Sequence, residues 1–85
     1  MYWVYILRSD MVNRYYVGQT EDIERRIFHH RTGREKFTKR ASDWQLVFSK
    51  KFETRTEAKR IESFIKKQKS KIFTEQVIKG EISLD

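Results

Sequence analysis

The chain contains no cysteine, so no disulfide can staple it and no thiolate can ligate a metal. That absence fits a reducing compartment, and a cytoplasmic location is expected. No window approaches the ~18 consecutive apolar residues of a membrane span, so no membrane association is expected. No basic leader or cleavage site precedes the first strand-like run, so no signal peptide is expected. Repeats, linkers and low-complexity segments are also lacking. Acid is in short supply: 12 Asp and Glu stand against 19 Lys and Arg, a formal net charge of +7 and a pI near 9.9. A field of that sign attracts polyanions and speeds encounter with them. Nucleic acid is the commonest such partner, and phosphate contacts make its affinity salt-dependent. A lysine-rich surface kept for solubility would produce the same excess.

What is present is a small set of patterned segments. The 85 residues read as one domain over 1–85, which buries only a little over ~60% of the surface its unfolded form exposes. Met1–Leu7 is apolar or aromatic throughout. Tyr2, Val4 and Ile6 fall on one face of a strand and Trp3, Tyr5 and Leu7 on the other, the pattern of a central strand covered on both sides. Asp10 and Asn13 are turn formers, and Arg14–Thr20 resumes the strand pattern, so the two runs predict a hairpin. Gly18 near the strand end either lets something approach the backbone closely or allows a bulge.

Asp22 suits the N-cap of a helix running to about Thr32, with Gly33 in the left-handed C-terminal position. Ile23 and Ile27 mark its buried face. Arg26 and His30, four apart, lie beside that stripe toward the sheet, while Arg25 and His29 point outward. Arg31–Asp43 is a basic connection, helical in part or not, anchored by Phe37 and Trp44. Gln45–Phe52 reads as a third strand. Thr54 and Glu57 form a capping box for a helix to about Lys69, with Ala58, Ile61, Phe64 and Ile65 inward and Glu62 on the border. Ser70 caps a last helix through Lys79, packed by Ile72, Phe73, Val77 and Ile78 and ended by Gly80. The tail Glu81–Asp85 is expected to fray.

Taken singly, the polar residues near this core have plain explanations. Tyr5 and Tyr16 suit core aromatics with satisfied hydroxyls, Arg26 a solvated edge, His30 a hydrogen-bonded helix end, and Glu62 a salt bridge to Lys59 or Lys66. Together they place hydroxyls from two paired strands opposite a guanidinium and an imidazole, with one carboxylate from further along. Trp3-Val4-Tyr5, Tyr16-Val17-Gly18, Thr20-x-Asp22-Ile23-x-x-Arg26-x-x-x-His30 and Ala58-x-x-x-Glu62 resemble the GIY-YIG nuclease family. The likeness is greatest to small single-domain bacterial members related to the nuclease domain of the repair excinuclease. Trp3 and Val4 stand in place of the first two letters of the opening triplet, Gln19 stands where several members carry a base, and no Asn is placed after the carboxylate.

The resemblance implies an α+β fold, a three-stranded antiparallel sheet flanked by helices. It implies a metal-dependent DNA endonuclease using Mg²⁺ or Mn²⁺, structure-selective or weakly specific. Tyr5, Tyr16, Arg26, His30 and Glu62 match the catalytic positions, with Glu62 as the metal ligand and Gly18 as the motif glycine. In that role Arg26 would hold the oxygens that gather charge during in-line attack. A tyrosine would act as base or orient the water, Tyr5 ahead of Tyr16, with His30 tuning it. Gly18, Gln19, Arg31, Arg34, Lys36, Lys39, Arg40, Lys66 and Lys67 would meet DNA, positioning the backbone without reading bases. A monomer or weak homodimer is expected, with a protein partner supplying specificity. Repair, mobile-element and restriction settings stay open. Two rival readings remain: a nucleic-acid-binding module of this fold without turnover, and a basic adaptor for an acidic protein.

Overall fold

The computed structural model describes residues 1–34, 36 and 38–84. Three strands and three helices follow in the order β1 (Tyr2–Ser9), β2 (Arg14–Thr20), α1 (Ile23–Arg31), β3 (Gln45–Phe52), α2 (Arg55–Lys67) and α3 (Lys71–Ile78). A 3-10 turn at Thr38–Arg40 interrupts the basic connection. Phe37, read above as an anchor of that connection, lies outside the described residues. The sheet is antiparallel with order β2-β1-β3. Its central strand is therefore the one whose sequence is apolar on both faces, because only a central strand has cover on both sides.

The two faces build two cores. Val4, Ile6 and Val17 pack with Ala58, Ile61, Ile65, Val77 and Leu84 under α2 and α3. Tyr5 and Leu7 pack with Ala41 and Trp44 on the opposite face, joined by Tyr16, Ile23 and Ile27. Local chemistry sets the boundaries. Asn13 takes the hairpin turn at φ 52°, which suits its short polar side chain. The Asp22, Thr54 and Ser70 side chains accept the backbone N–H three residues on and start α1, α2 and α3. Between β1 and β3 the register slips after Ile6↔Phe48, so that Leu7 faces Leu46. The β1–β2 register runs unbroken from Trp3↔Thr20 to Ser9↔Arg14, so Gly18 sits at no bulge.

Three sequence expectations fail on packing. Phe64 is 43% exposed, because it stands roughly 100° of helical turn from the centre of the Ala58–Ile61–Ile65 stripe. It turns instead to the edge of Phe73, with ring centroids 5.6 Å apart. Ile72 is 70% exposed, since α3 buries Thr74 and Val77 from its second turn. The tail does not fray up to Leu84: that side chain is 6% exposed and enters the α2–α3 core with Ile82. Among the described residues no helix is long and apolar enough to cross a membrane.

Candidate active site

The site begins with a missing side chain. A Cβ on Gly18 would lie 2.5 Å from Tyr5 Oη and 2.7 Å from Tyr5 Cζ, because Tyr5 and Gly18 are direct partners across the β1–β2 ladder. Of the two roles open to Gly18, the close approach is the one found, and what approaches is the Tyr5 phenol. The space lets the ring lie over β2 and carry its hydroxyl to 2.9 Å from His30 Nε2. His30 reaches it from the last turn of α1, on the side toward the sheet that its spacing from Arg26 predicted, and is fully buried.

The other imidazole nitrogen, Nδ1, lies 2.7 Å from the Thr38 hydroxyl, which is also fully buried. A neutral imidazole has one donor and one acceptor nitrogen. Either Tyr5 donates to Nε2 and Nδ1–H donates to Thr38, or both bonds run the other way. The line of protons can thus reverse as a unit. Trp44 Nε1–H donates to the Thr38 carbonyl at 2.7 Å, and Arg31 Nε donates to the Trp44 carbonyl at 3.0 Å. Thr38 carried no sequence signal: a threonine among basic residues has no period or motif to mark it. Arg31, expected on DNA, has its Nε committed to holding this loop. Asp43 secures the loop's far end, accepting from the Ser9 hydroxyl at 2.5 Å and from the Asp10 and Met11 amides at 3.0 Å. Those bonds, the Ser9 hydroxyl foremost, hold its carboxyl below the usual aspartate range despite the opposing effect of burial.

The two tyrosines differ in access. Tyr5 is 1% exposed, so its hydroxyl meets His30 rather than bulk water, and the expectation that placed Tyr5 first as the group facing water is not met by this geometry. Tyr16 is half-buried. Its ring centroid lies 4.7 Å from that of His30 and 6.3 Å from that of Tyr5. On another side, Lys66 Nζ stands 6.0 Å from the Tyr16 centroid and 2.6 Å from Glu62 Oε2. One line of contacts therefore runs Thr38, His30, Tyr16, Lys66, Glu62, linking α1 to α2 around the edge strand.

Arg26 is half-buried one turn before His30. It lines a polar concavity of about 300 Å³ with Gln19, Asp22, Arg25, His29 and Arg55. Arg25, placed outward by the sequence reading, and Arg55, absent from it, both front this concavity. The Gln19 amide oxygen is buried there with no hydrogen-bond partner among the described residues. Arg34, Lys36, Lys39 and Arg40 are exposed around the connection, with Arg34 5.8 Å over the Phe28 ring. Lys67 is exposed on α2, whereas Lys66, Lys69 and Lys71 front a second concavity beside Tyr16.

Among the described residues no group of three His, Asp or Glu could by itself hold a metal ion. A hard cation such as Mg²⁺ does not need one, since it keeps several waters and takes one or two carboxylates plus substrate oxygens. Glu62 fits that demand: its side chain is 19% exposed and supplies oxygen donors on the flank of α2. An ion there would meet the Lys66 ammonium first.

Comparison with known proteins shows the family of the chain. The family model of the GIY-YIG catalytic domain matches residues 1–76. A UPF0213 protein of Listeria welshimeri is 39% identical over 67 residues, covering 78% of this chain and 73% of the relative. The UPF0213 protein YazA of Bacillus subtilis is 32% identical over 68 residues, covering 75% and 69%. The solution NMR structure of a UPF0213 protein from Bacillus halodurans is 33% identical with a TM-score of 0.58, covering 93% of this chain and 84% of that one. The chain belongs to the GIY-YIG family, a nuclease-type family, among its UPF0213 members.

Proposed function

We propose that this protein is a divalent-metal-dependent endonuclease that hydrolyses DNA phosphodiesters. The observation that carries the reading is the buried Tyr5–His30–Thr38 line leading to Tyr16 at the surface. Burying three polar side chains in contact within so small a core costs stability unless every bond is kept. Such an arrangement holds Tyr16 and His30 in fixed relation.

In the proposed reaction, water adds to phosphorus and the opposite P–O ester bond breaks. One strand end keeps the phosphate and the other leaves as an alcohol. Tyr16 is the phenol that can meet the attacking water: its oxygen accepts a hydrogen bond from that water and orients it, and the water's proton leaves to solvent. His30, held on both nitrogens by Tyr5 and Thr38, lies against the Tyr16 ring and fixes the position of that phenol. Arg26 holds the non-bridging oxygens with a planar cationic fork. Glu62 would hold the ion, and a bound divalent cation neutralises charge on the leaving oxygen. Arg25 and Arg55 extend the cationic surface along β2, so DNA is positioned through phosphate rather than read by base. Selection by DNA structure, a cytoplasmic setting and a role in repair belong to this reading.

The test is cleavage of branched, nicked and plain duplex DNA with Mg²⁺ and with chelator. Arg26→Ala and Glu62→Gln are each expected to abolish cutting while salt-sensitive binding survives. Cutting that persists in chelator, or in either variant, overturns the mechanism. A second reading, a DNA-binding module without turnover, draws support from the Lys66 ammonium already neutralising Glu62 at 2.6 Å. Binding of all three substrates with no cutting of any would establish it.

A further inference from the structure

The concavity beside Tyr16, about 520 Å³, opens between the first half of β2 and the junction of α2 with α3. Tyr16, Val17 and Ile65 give it an apolar floor, and Lys66, Lys69 and Lys71 stand around it. That size, with apolar walls and a few charged groups, is typical of a small-ligand site. No carboxylate lines it among the described residues. Two that adjoin it are engaged, Glu62 with Lys66 and Glu75 with the Tyr15 hydroxyl. The hollow is thus both apolar and cationic, which is the complement of an aromatic anion.

The backbone adds an independent observation. All three helices end with the residue after the C-cap in the left-handed region. For α1 and α3 it is glycine, Gly33 at φ 76° and Gly80 at φ 78°; for α2 it is Lys69 at φ 47°. Glycine takes that conformation freely, and a side chain there is strained. A third glycine would end α2 as it ends the others. The chain carries a strained lysine instead, and the strain places its side chain on the rim of the hollow. Strain of this kind gathers where a side chain serves a site rather than the fold.

We propose that this hollow is a mononucleotide subsite, in which Lys69 and Lys71 take the phosphate and the apolar floor takes the base. Its position beside Tyr16 puts that nucleotide next to the bond being cut. The placement rests on the nuclease reading above, whereas nucleotide binding itself does not.

NMR titration of the full chain with dAMP, deoxyadenosine and inorganic phosphate tests it. We expect dAMP to shift the amides of Val17, Ile65 and Thr74, with the nucleoside alone and phosphate alone each binding about tenfold more weakly or worse. Lys69→Gly and Lys69→Ala should both weaken dAMP about tenfold. Lys69→Gly should also melt at a higher temperature than Lys69→Ala, because only glycine relieves the strain. Equal affinity for phosphate and dAMP, shifts confined to other surfaces, or unchanged binding by Lys69→Gly would each overturn the subsite. A thymidine trinucleotide that binds these residues more tightly than dAMP supports a strand nucleotide as the occupant; the reverse order overturns that placement. Binding of dAMP without any DNA cutting defeats the nuclease reading and leaves the subsite standing. DNA cutting with no response to dAMP does the opposite.

Discussion

Gly18→Ala isolates the contact on which the buried part of the site depends. The new methyl would sit 2.5 Å from Tyr5 Oη, 2.7 Å from Cζ and 3.1 Å from Tyr16 Cε2. A phenol at the end of a mobile side chain could swing aside at little cost, but Tyr5 is 1% exposed and bonded to His30. Overpacking of this sort costs about 1–3 kcal/mol. Losing the Tyr5–His30 bond adds about 0.5–1.5 kcal/mol. Gly18 has no left-handed φ, so alanine can adopt its backbone and recovers about 0.4–1 kcal/mol by restricting the unfolded chain. The contact wins, with a net loss of about 2 kcal/mol. For a chain of this length that lowers Tm by about 8–16 °C, readable by circular dichroism. Tyr5→Phe removes the atom that the methyl strikes first, so the two substitutions should be non-additive, the double variant recovering about 1 kcal/mol or more. A Gly18→Ala protein that melts at or above the parent temperature would refute the argument, since it would leave only the entropic gain.

Two further substitutions probe the loop that completes the buried line. Thr38→Val keeps the shape of the side chain but leaves one His30 nitrogen without its partner in a fully buried place. It should cost about 1–3 kcal/mol and shift the ¹⁵N resonances of that imidazole, and unchanged resonances would mean Thr38 does not set its protonation. Asp43→Asn should lower Tm at neutral pH, because the Ser9 hydroxyl and two amides bind a carboxyl held below its ordinary value. A lowered folded-state value means the stabilisation is complete above the unfolded-state value of about 4 and is lost as pH falls through the folded one. The gap in Tm between parent and variant should therefore close in acid. A gap that is constant from pH 7 down to about pH 2 would show that the charge of Asp43 is not what matters.

Sequence alone determined the elements and the phase of their side chains. Arg14–Thr20 and Gln45–Phe52 form strands over the residues their patterns marked. The three helix caps act where Asp22, Thr54 and Ser70 predicted, because a cap is satisfied by an amide three residues away. The turn of the helix directed Arg26 and His30 toward the sheet and Arg25 outward; packing buried His30 fully and left Arg26 half-buried. What tertiary structure decided is every property that depends on a distant neighbour. Phe64 and Ile72 are apolar and helical, yet 43% and 70% exposed; Leu84 is in a tail, yet it is 6% exposed within the core under α2 and α3. Tyr5 and Tyr16 look alike along their strands, but only the central strand is roofed on both faces, so Tyr5 is sealed and Tyr16 is half-buried. Thr38 gained its role because His30, eight residues earlier, arrives beside it. Periodicity and capping are fixed within a few residues of chain, whereas burial and partnership are fixed by which elements pack together.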